Sequence, residues 1–355
     1  MKIIFTCGGT AGHIYPAISV ANLIKERHPT AEILFVGAEN GMETKLVPKD
    51  GYDIRTVKIS NLRRSLSPGS VKHNLRSISY LLNSDRQAQK ILDDFKPDIV
   101  VGTGGYASYP ITSAAAKRGI PTAVHESNAI PGLTTRMLAA KVDVMLVSFE
   151  SSRKYYPKAK RVETVGTPVR SGFLQRPEPS AKPLLLSFWG SLGARDMNRI
   201  ILDFIKLEDG SFNHIHVTGK SAFAAMSKEI GDKIELNEFL YDMPSVMTSA
   251  DLVICRAGAS TLAEICAAAK PSILIPSPNV TNNHQDSNAR VLESAGAAIR
   301  LPEDECTGET LYRYTIELLR DTDKRARMSK AAQTLAVLDS TERIYQIILQ
   351  LISSN

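Results

Sequence analysis

The sequence is short of the features that would make it a stapled, metal-built or membrane-spanning protein. Its 355 residues hold four cysteines, Cys7, Cys255, Cys266 and Cys306, and none forms a C-x-x-C pair. That pattern argues against a disulfide framework or a zinc site and fits reduced thiols in a cytosol. Long apolar runs are missing too. The long uncharged run 99–116 is interrupted by Gly102, Gly104, Gly105 and Pro110, so no membrane span is expected there. Met1-Lys-Ile-Ile-Phe meets glycines at once, which leaves no apolar core for a secretory leader. The only D-x-D, Asp321-Thr-Asp323, lies in a charged stretch and reads as a helix cap, so no metal-diphosphate site is expected.

What is present is ordinary in bulk and uneven in place. Hydrophobic residues make up 43% and charged residues 23%, as in soluble globular proteins, and the length suggests two domains. The net charge of +6 divides into +9 over residues 1–166 and −3 over 167–355. A basic front half suits an anionic partner: nucleic acid, a phosphorylated substrate or an acidic membrane face.

Strand and helix patterns alternate from the start. Apolar runs at Ile3–Thr6, Ile33–Val36, Ile54–Ile59, Ile99–Val101, Thr122–His125, Val144–Val147 and Val162–Val165 read as strands. Helical spacing falls between them at Pro16–Arg27, Val71–Phe95, Ile111–Arg118 and Leu133–Ala140. A proline-rich linker, 166–183, precedes a restart at Leu184–Phe188, with further strands at His214–Val217, Ile234–Phe239, Leu252–Cys255, Ile273–Ile275 and Ala297–Arg300. This predicts an α/β protein of two Rossmann-like, doubly wound domains facing across a cleft, 1–166 and 167–340. The amphipathic end, 341–355, is expected to pack back on the first.

Ligands of such sheets bind outside the carboxyl ends of the strands. Glycine turns fall at four of those ends: Gly8–Gly12, Gly102–Gly105, Gly190–Gly193 and Arg256–Ala259. A strand, a glycine turn and a helix together aim backbone N–H groups and a positive helix end at an anion. His13 stands just before the first helix, where a reacting group could meet it. Gly102-x-Gly104-x-x-Ala107 matches the dinucleotide fingerprint, but it lies on an internal unit of the sheet, with Tyr109-Pro110 where its helix should begin. Thr261-x-x-Glu264 is readable as a capping box or as a carboxylate for a ribose diol. His125-Glu-Ser-Asn128 ends a strand and offers acid–base or sugar-binding groups. The polar loop 276–289 offers amides suited to sugar hydroxyls.

Seven motifs, in order, resemble the MurG-type N-acetylglucosaminyltransferases of peptidoglycan synthesis, two-domain GT-B enzymes. They are Gly8-Gly-Thr-Ala-Gly-His13, Gly104-Gly-Tyr-Ala-Ser108, His125–Asn128, Gly166-Thr-Pro-Val-Arg170, Gly190-Ser-Leu-Gly-Ala194, Arg256–Glu264 and Asn282-Asn-His-Gln285. Ala11, Thr167 and Trp189 depart from the residues common there. The resemblance implies inverting transfer of GlcNAc from UDP-GlcNAc to the muramoyl sugar of lipid I, giving lipid II and UDP; a GT-B transferase acting on another lipid such as diacylglycerol, or a UDP-GlcNAc 2-epimerase, is the alternative. It implies no obligatory metal or other cofactor and no nucleic acid partner. The donor contacts it implies are Glu264 on ribose, Leu240 on uracil, and Arg170, Ser191, Ser260, Thr261 and Leu262 near the diphosphate. Gln285 would hold GlcNAc, helped by Thr10, Ala11, Gly12 and Asn128. Gly9, Gly104, Gly105, Tyr106 and His125 would cradle the acceptor diphosphate, with His13 the candidate base and Glu126 the second. A peripheral place on the anionic inner leaflet of the bacterial cell membrane is implied, and contacts with other cell-wall synthesis proteins stay open. The stretch 61–82, with Arg63, Arg64, Lys72 and Arg76, reads either as a leaflet patch or as an inward-packing helix.

Overall fold

The computed structural model describes residues 1–59, 83–174, 182–190 and 194–354, so the 61–82 stretch and Ser191 lie outside the described residues. The chain divides into two compact units, Met1–Pro168 with Leu338–Asn355, and Val169–Val337.

The first unit carries a seven-stranded sheet in the order β3-β2-β1-β4-β5-β6-β7, every pairing parallel. Its strands are β1 Lys2–Thr6, β2 Glu32–Ala38, β3 Asp53–Val57, β4 Ile99–Gly102, β5 Thr122–Glu126, β6 Val144–Val147 and β7 Val162–Thr164. Central strands of a parallel sheet are covered on both faces, so they read as unbroken apolar runs. Ile3, Ile4, Phe5, Ile99 and Val100 are accordingly fully buried. Helices α1 Ala11–Arg27, α2 Glu43–Lys49, α3 (83–95), α4 Ser108–Lys117 and α5 Leu133–Leu138 connect them.

Helix α1 corrects the predicted start at Pro16. It begins at Ala11, with Pro16 buried inside it, so His13 belongs to its first turn instead of preceding it. Proline at a helix start is the familiar signal, yet the missing N–H removes only one helical bond, and burial among Ile14, Ala17 and Ile18 offsets that loss.

The second unit repeats the plan with six parallel strands in the order β10-β9-β8-β11-β12-β13. These are β8 Leu184–Phe188, β9 Asn213–Val217, β10 Glu235–Asn237, β11 Leu252–Cys255, β12 Ser272–Leu274 and β13 Ala298–Arg300. β10 is shorter than the predicted run to Phe239. Phe239 and Tyr241 are left exposed, in edge-on ring contact at 4.9 Å. Helices α6 Arg195–Leu207, α7 Lys220–Ile230, α8 Met243–Ser249, α9 Ala259–Ala267, α10 His284–Ser294, α11 Gly308–Arg320 and α12 Thr322–Leu335 surround this sheet. Asp321 caps α12, its carboxylate accepting from the Lys324 amide at 2.8 Å, as the sequence suggests for this D-x-D.

The last helix, α13 Ser340–Ser353, belongs to the first unit. Ile344, Tyr345, Ile347 and Ile348 enter the α1 core, the Tyr345 hydroxyl lies 2.9 Å from His28 Nε2, and Arg27 pairs with Glu342 at 2.7 Å.

A polar chain crosses the second core. Asn198 on α6 donates Nδ2 to the Thr218 carbonyl at 3.0 Å, which turns its Oδ1 toward His216 Nε2 at 3.3 Å. That nitrogen must therefore carry the proton, leaving His216 Nδ1 to accept from the Ser187 hydroxyl at 2.6 Å. Ser187 Oγ also lies 2.7 Å from His214 Nε2, and His214 Nδ1 lies 2.7 Å from Glu208 Oε1. Burial and the neighbouring His214 push His216 down to about 3, consistent with a neutral ring. Ser187→Ala should orphan two buried ring nitrogens and lower the unfolding free energy by about 1–3 kcal/mol, read from urea melts. A loss of only a few tenths would show that the chain is not intact.

Candidate functional site

In a doubly wound sheet the ligand crevice opens where the strand order reverses. In the first unit that point lies between β1 and β4, and the loops after these strands are the two glycine turns. They touch backbone to backbone. Gly105 has φ +80°, and a Cβ there would sit 2.1 Å from the Gly8 carbonyl oxygen. Gly104, at φ +101°, would place a Cβ 2.7 Å from His13 Nδ1. Only residues without side chains let the turns approach this closely.

His13 is held at this crossing. Its Nδ1 lies 3.0 Å from the Thr103 carbonyl oxygen, while Thr103 Oγ1 donates to the His13 carbonyl at 2.6 Å. A carbonyl oxygen only accepts, so Nδ1 carries the proton and the lone pair resides on Nε2. In its neutral form His13 is thereby set in the tautomer of a base, half-buried at the positive end of α1.

Other residues of the first unit take different places from those expected. The resemblance puts Gly9 at the acceptor diphosphate, but its N–H points inward and donates to Glu43 Oε2 at 3.2 Å. Thr10 is the N-cap of α1, and its carbonyl accepts the His13 amide, so Ala11 and Gly12 open the helix. Glu126, the second candidate base, is buried and saturated. It accepts from the Asn128 amide (2.9 Å), Asn128 Nδ2 (3.0 Å), the Gly132 amide (2.9 Å) and Thr135 Oγ1 (2.5 Å). It clasps the 127–132 loop to α5 and has no lone pair left for an incoming proton donor. His125 donates Nε2 to the Gly166 carbonyl at 2.8 Å, and its buried Nδ1 has no hydrogen-bond partner among the described residues. Burial, with a smaller push from His13, holds His125 below the usual histidine range. A neutral ring presenting an acceptor nitrogen repels an anion, so His125 does not clamp a diphosphate. Tyr106 is half-buried beside Gly9.

In the second unit the reversal lies between β8 and β11. Helix α9 follows β11 with Gly258 as its N-cap, which overturns the capping-box reading. Thr261 is the third helical residue and Glu264 the sixth, a turn beyond capping reach. Leu262 gives its amide to the Gly258 carbonyl at 3.0 Å, leaving Ser260 and Thr261 in the turn whose N–H groups helical bonding does not use. Glu264 stands 3.7 Å from Arg170, its side chain 19% exposed. Burial pushes its carboxyl up to about 7, against the opposing pull of Arg170. Arg170 also stacks over Phe173 at 5.2 Å. Gln285, in the first turn of α10, accepts the Ser277 amide through Oε1 at 2.9 Å, which leaves its Nε2 as the donor end of the side chain. Asn282 and Asn283 both adopt left-handed backbone, at φ +55° and +49°, just before it. Leu240 packs on the core between exposed Phe239 and Tyr241. No cluster of three or more metal-ligating side chains occurs among the described residues.

Residues 3–147 match the glycosyltransferase family 28 N-terminal domain, and residues 184–344 match its C-terminal domain. The chain belongs to glycosyltransferase family 28. It is 40% identical to the UDP-N-acetylglucosamine–N-acetylmuramyl-(pentapeptide) pyrophosphoryl-undecaprenol N-acetylglucosamine transferase of Acetivibrio thermocellus, over 98% of this chain and 97% of that one. A Bacillus cereus protein of the same name, numbered 1, is 39% identical over 99% and 100%. Among solved structures, Acinetobacter baumannii MurG superposes with a TM-score of 0.80 at 26% identity, covering 98% of this chain and 99% of that one. UDP-GlcNAc 2-epimerase from Neisseria meningitidis, bound to UDP-GlcNAc, superposes at 0.66 with 13% identity over 99% and 100%, a likeness of fold alone.

The glycine geometry makes a graded prediction. Gly104→Ala and Gly105→Ala should each cost about 1–2 kcal/mol for the left-handed backbone alone. Gly105→Ala should cost more, because the Gly8 carbonyl cannot swing aside as an imidazole can. Thermal unfolding of the two variants checks the order, and equal losses would refute the backbone contact.

Proposed function

We propose that this protein transfers GlcNAc from UDP-GlcNAc to the muramoyl sugar of undecaprenyl-diphosphate-linked lipid I, with inversion, releasing UDP and lipid II. The observation that carries this reading is the roughly 40% identity along almost the whole chain to relatives bearing that name. The geometry supports it unit by unit.

The first unit takes the acceptor. His13 Nε2 removes the proton of the attacking hydroxyl, and the first turn of α1 offers amides and a helix dipole to the lipid diphosphate. The second unit takes the donor. Glu264 accepts the ribose diol, the backbone at Leu240 meets uracil, and Gln285 Nε2 donates to a GlcNAc hydroxyl. Arg170 and the Ser260 and Thr261 amides stabilise the charge that grows on departing UDP. The acceptor lipid calls for a peripheral place at the membrane. No described helix is long and apolar enough to cross one, and α5 exposes Leu133 and Met137 beside Arg136.

Incubation with labelled UDP-GlcNAc tests the whole reading. UDP should appear only when a lipid I analogue is present, and release without acceptor would favour epimerase chemistry. His13→Ala should lower kcat by about 10²- to 10⁴-fold with donor KM little changed. Near-normal turnover would remove His13 as base. The carboxylate form of Glu264 accepts both ribose hydroxyls, so donor KM should fall as pH rises through about 7. Glu264→Gln should abolish that step and raise donor KM by about 10- to 100-fold. A variant that keeps the pH step would assign it to another group.

A further inference from the structure

Beneath the first glycine turn lies a side chain whose local sequence, Gly-Met-Glu-Thr-Lys, looks like an ordinary surface helix start. Glu43 is fully buried. Its Oε1 accepts the amide of Ala38, the last residue of β2, at 2.8 Å, and its Oε2 accepts the amide of Gly9 at 3.2 Å. Among the described residues no lysine or arginine forms an ion pair with it. Three glycines make room for it. A Cβ would lie 2.6 Å from Oε1 at Gly8, 2.3 Å from Cγ at Gly37 and 2.1 Å from Oε1 at Gly41. Its charge is felt by both turns: after burial, it is the second cause that pushes the Cys7 thiol and the Tyr106 hydroxyl upward.

A buried carboxylate without a cation is costly, and stability alone would favour an apolar filling. The chemistry explains the choice. Two inward-pointing amides, from loops 29 residues apart, need two acceptors on one short side chain, and a carboxylate supplies them where glutamine supplies only one. The hold passes directly to the site: Gly9 is followed by the N-cap Thr10, whose carbonyl accepts the His13 amide at 3.0 Å.

We propose that Glu43 is a positioning residue for transfer, holding the Gly8–Gly9 turn and through it the stance of His13 against Gly104, a reading that rests on His13 being the base. In Glu43→Gln one of the two amides faces an N–H group instead of an oxygen, so the turn loses one anchor while volume is kept.

The test is a double-mutant cycle on the full chain, with UDP-GlcNAc, a lipid I analogue and hydrogen exchange. Glu43→Gln should speed exchange in residues 7–13, leave UDP binding within about twofold, and lower kcat by about 10- to 100-fold. In the His13→Ala background the same change should cost less than about threefold, because its route to the chemistry is already gone. Unchanged exchange at 7–13, kcat within about twofold, or an equal loss in both backgrounds would each overturn the positioning role. Near-normal turnover of His13→Ala alone would instead overturn the base, leaving the exchange data to judge the hold of Glu43 on the turn. If Glu43→Gln does not fold, Glu43→Asp keeps the charge but cannot span both amides, and the same readings apply to it.

Discussion

The first unit is organised by a contact between two stretches of bare backbone. Gly105 approaches the Gly8 carbonyl so closely that no side chain fits between them. The contact exists because β1 and β4 are neighbours at the point where the sheet order reverses, so the loops leaving them must share one place. Once the turns meet, Thr103 lies within reach of His13, and its carbonyl decides which ring nitrogen holds the proton. Strand order thus reaches the tautomer of one imidazole in three steps: topology, backbone approach, and a carbonyl that can only accept.

Three buried or half-buried glutamates show how partners divide labour among identical side chains. Glu126 has four donors and closes a loop. Glu43 has two amides and joins a turn to a strand end. Glu264 has an arginine at 3.7 Å and a carboxyl pushed up to about 7, so its acceptor capacity is the least satisfied of the three. An unsatisfied carboxylate in a half-open place suits a ligand with paired hydroxyls. A saturated one does not, and this separates Glu264 from Glu126 as a functional group.

The strands were legible because parallel strands buried on both faces leave continuous apolar runs: Ile3-Ile-Phe, Leu184-Leu-Leu and Leu252-Val-Ile stand out without any structure. The glycine turns and His13 were legible as motifs. What escaped was set by partners distant along the chain. Glu43 meets Gly9 across 34 residues, and nothing beside it in sequence announces burial except the flanking Gly37 and Gly41. The cap reading of Glu264 failed because its helix starts at Ala259, which puts the carboxylate a turn too deep. The role expected of Glu126 failed because three of its four donors lie in a loop and the fourth on α5, a closure that local pattern does not encode. Pro16 misled for a related reason: tertiary burial carries a helix through a residue that usually opens one.

The same strand–turn–helix device is used differently in the two units, and helical position accounts for the difference. His13 is the third residue of α1, and Glu264 the sixth of α9. At a rise of about 1.5 Å per residue, Glu264 sits roughly 4.5 Å deeper along its helix than His13 does along its own. A first-turn side chain stays at the mouth, close to the positive end of the helix dipole. A second-turn side chain leaves the mouth to the backbone amides, so an anion can rest on Ser260 and Thr261 while a more distant part of the ligand reaches the carboxylate. Moving one polar residue by about a turn is therefore enough to take a side chain from the helix mouth, among the free amides, to a depth where those amides stand in front of it.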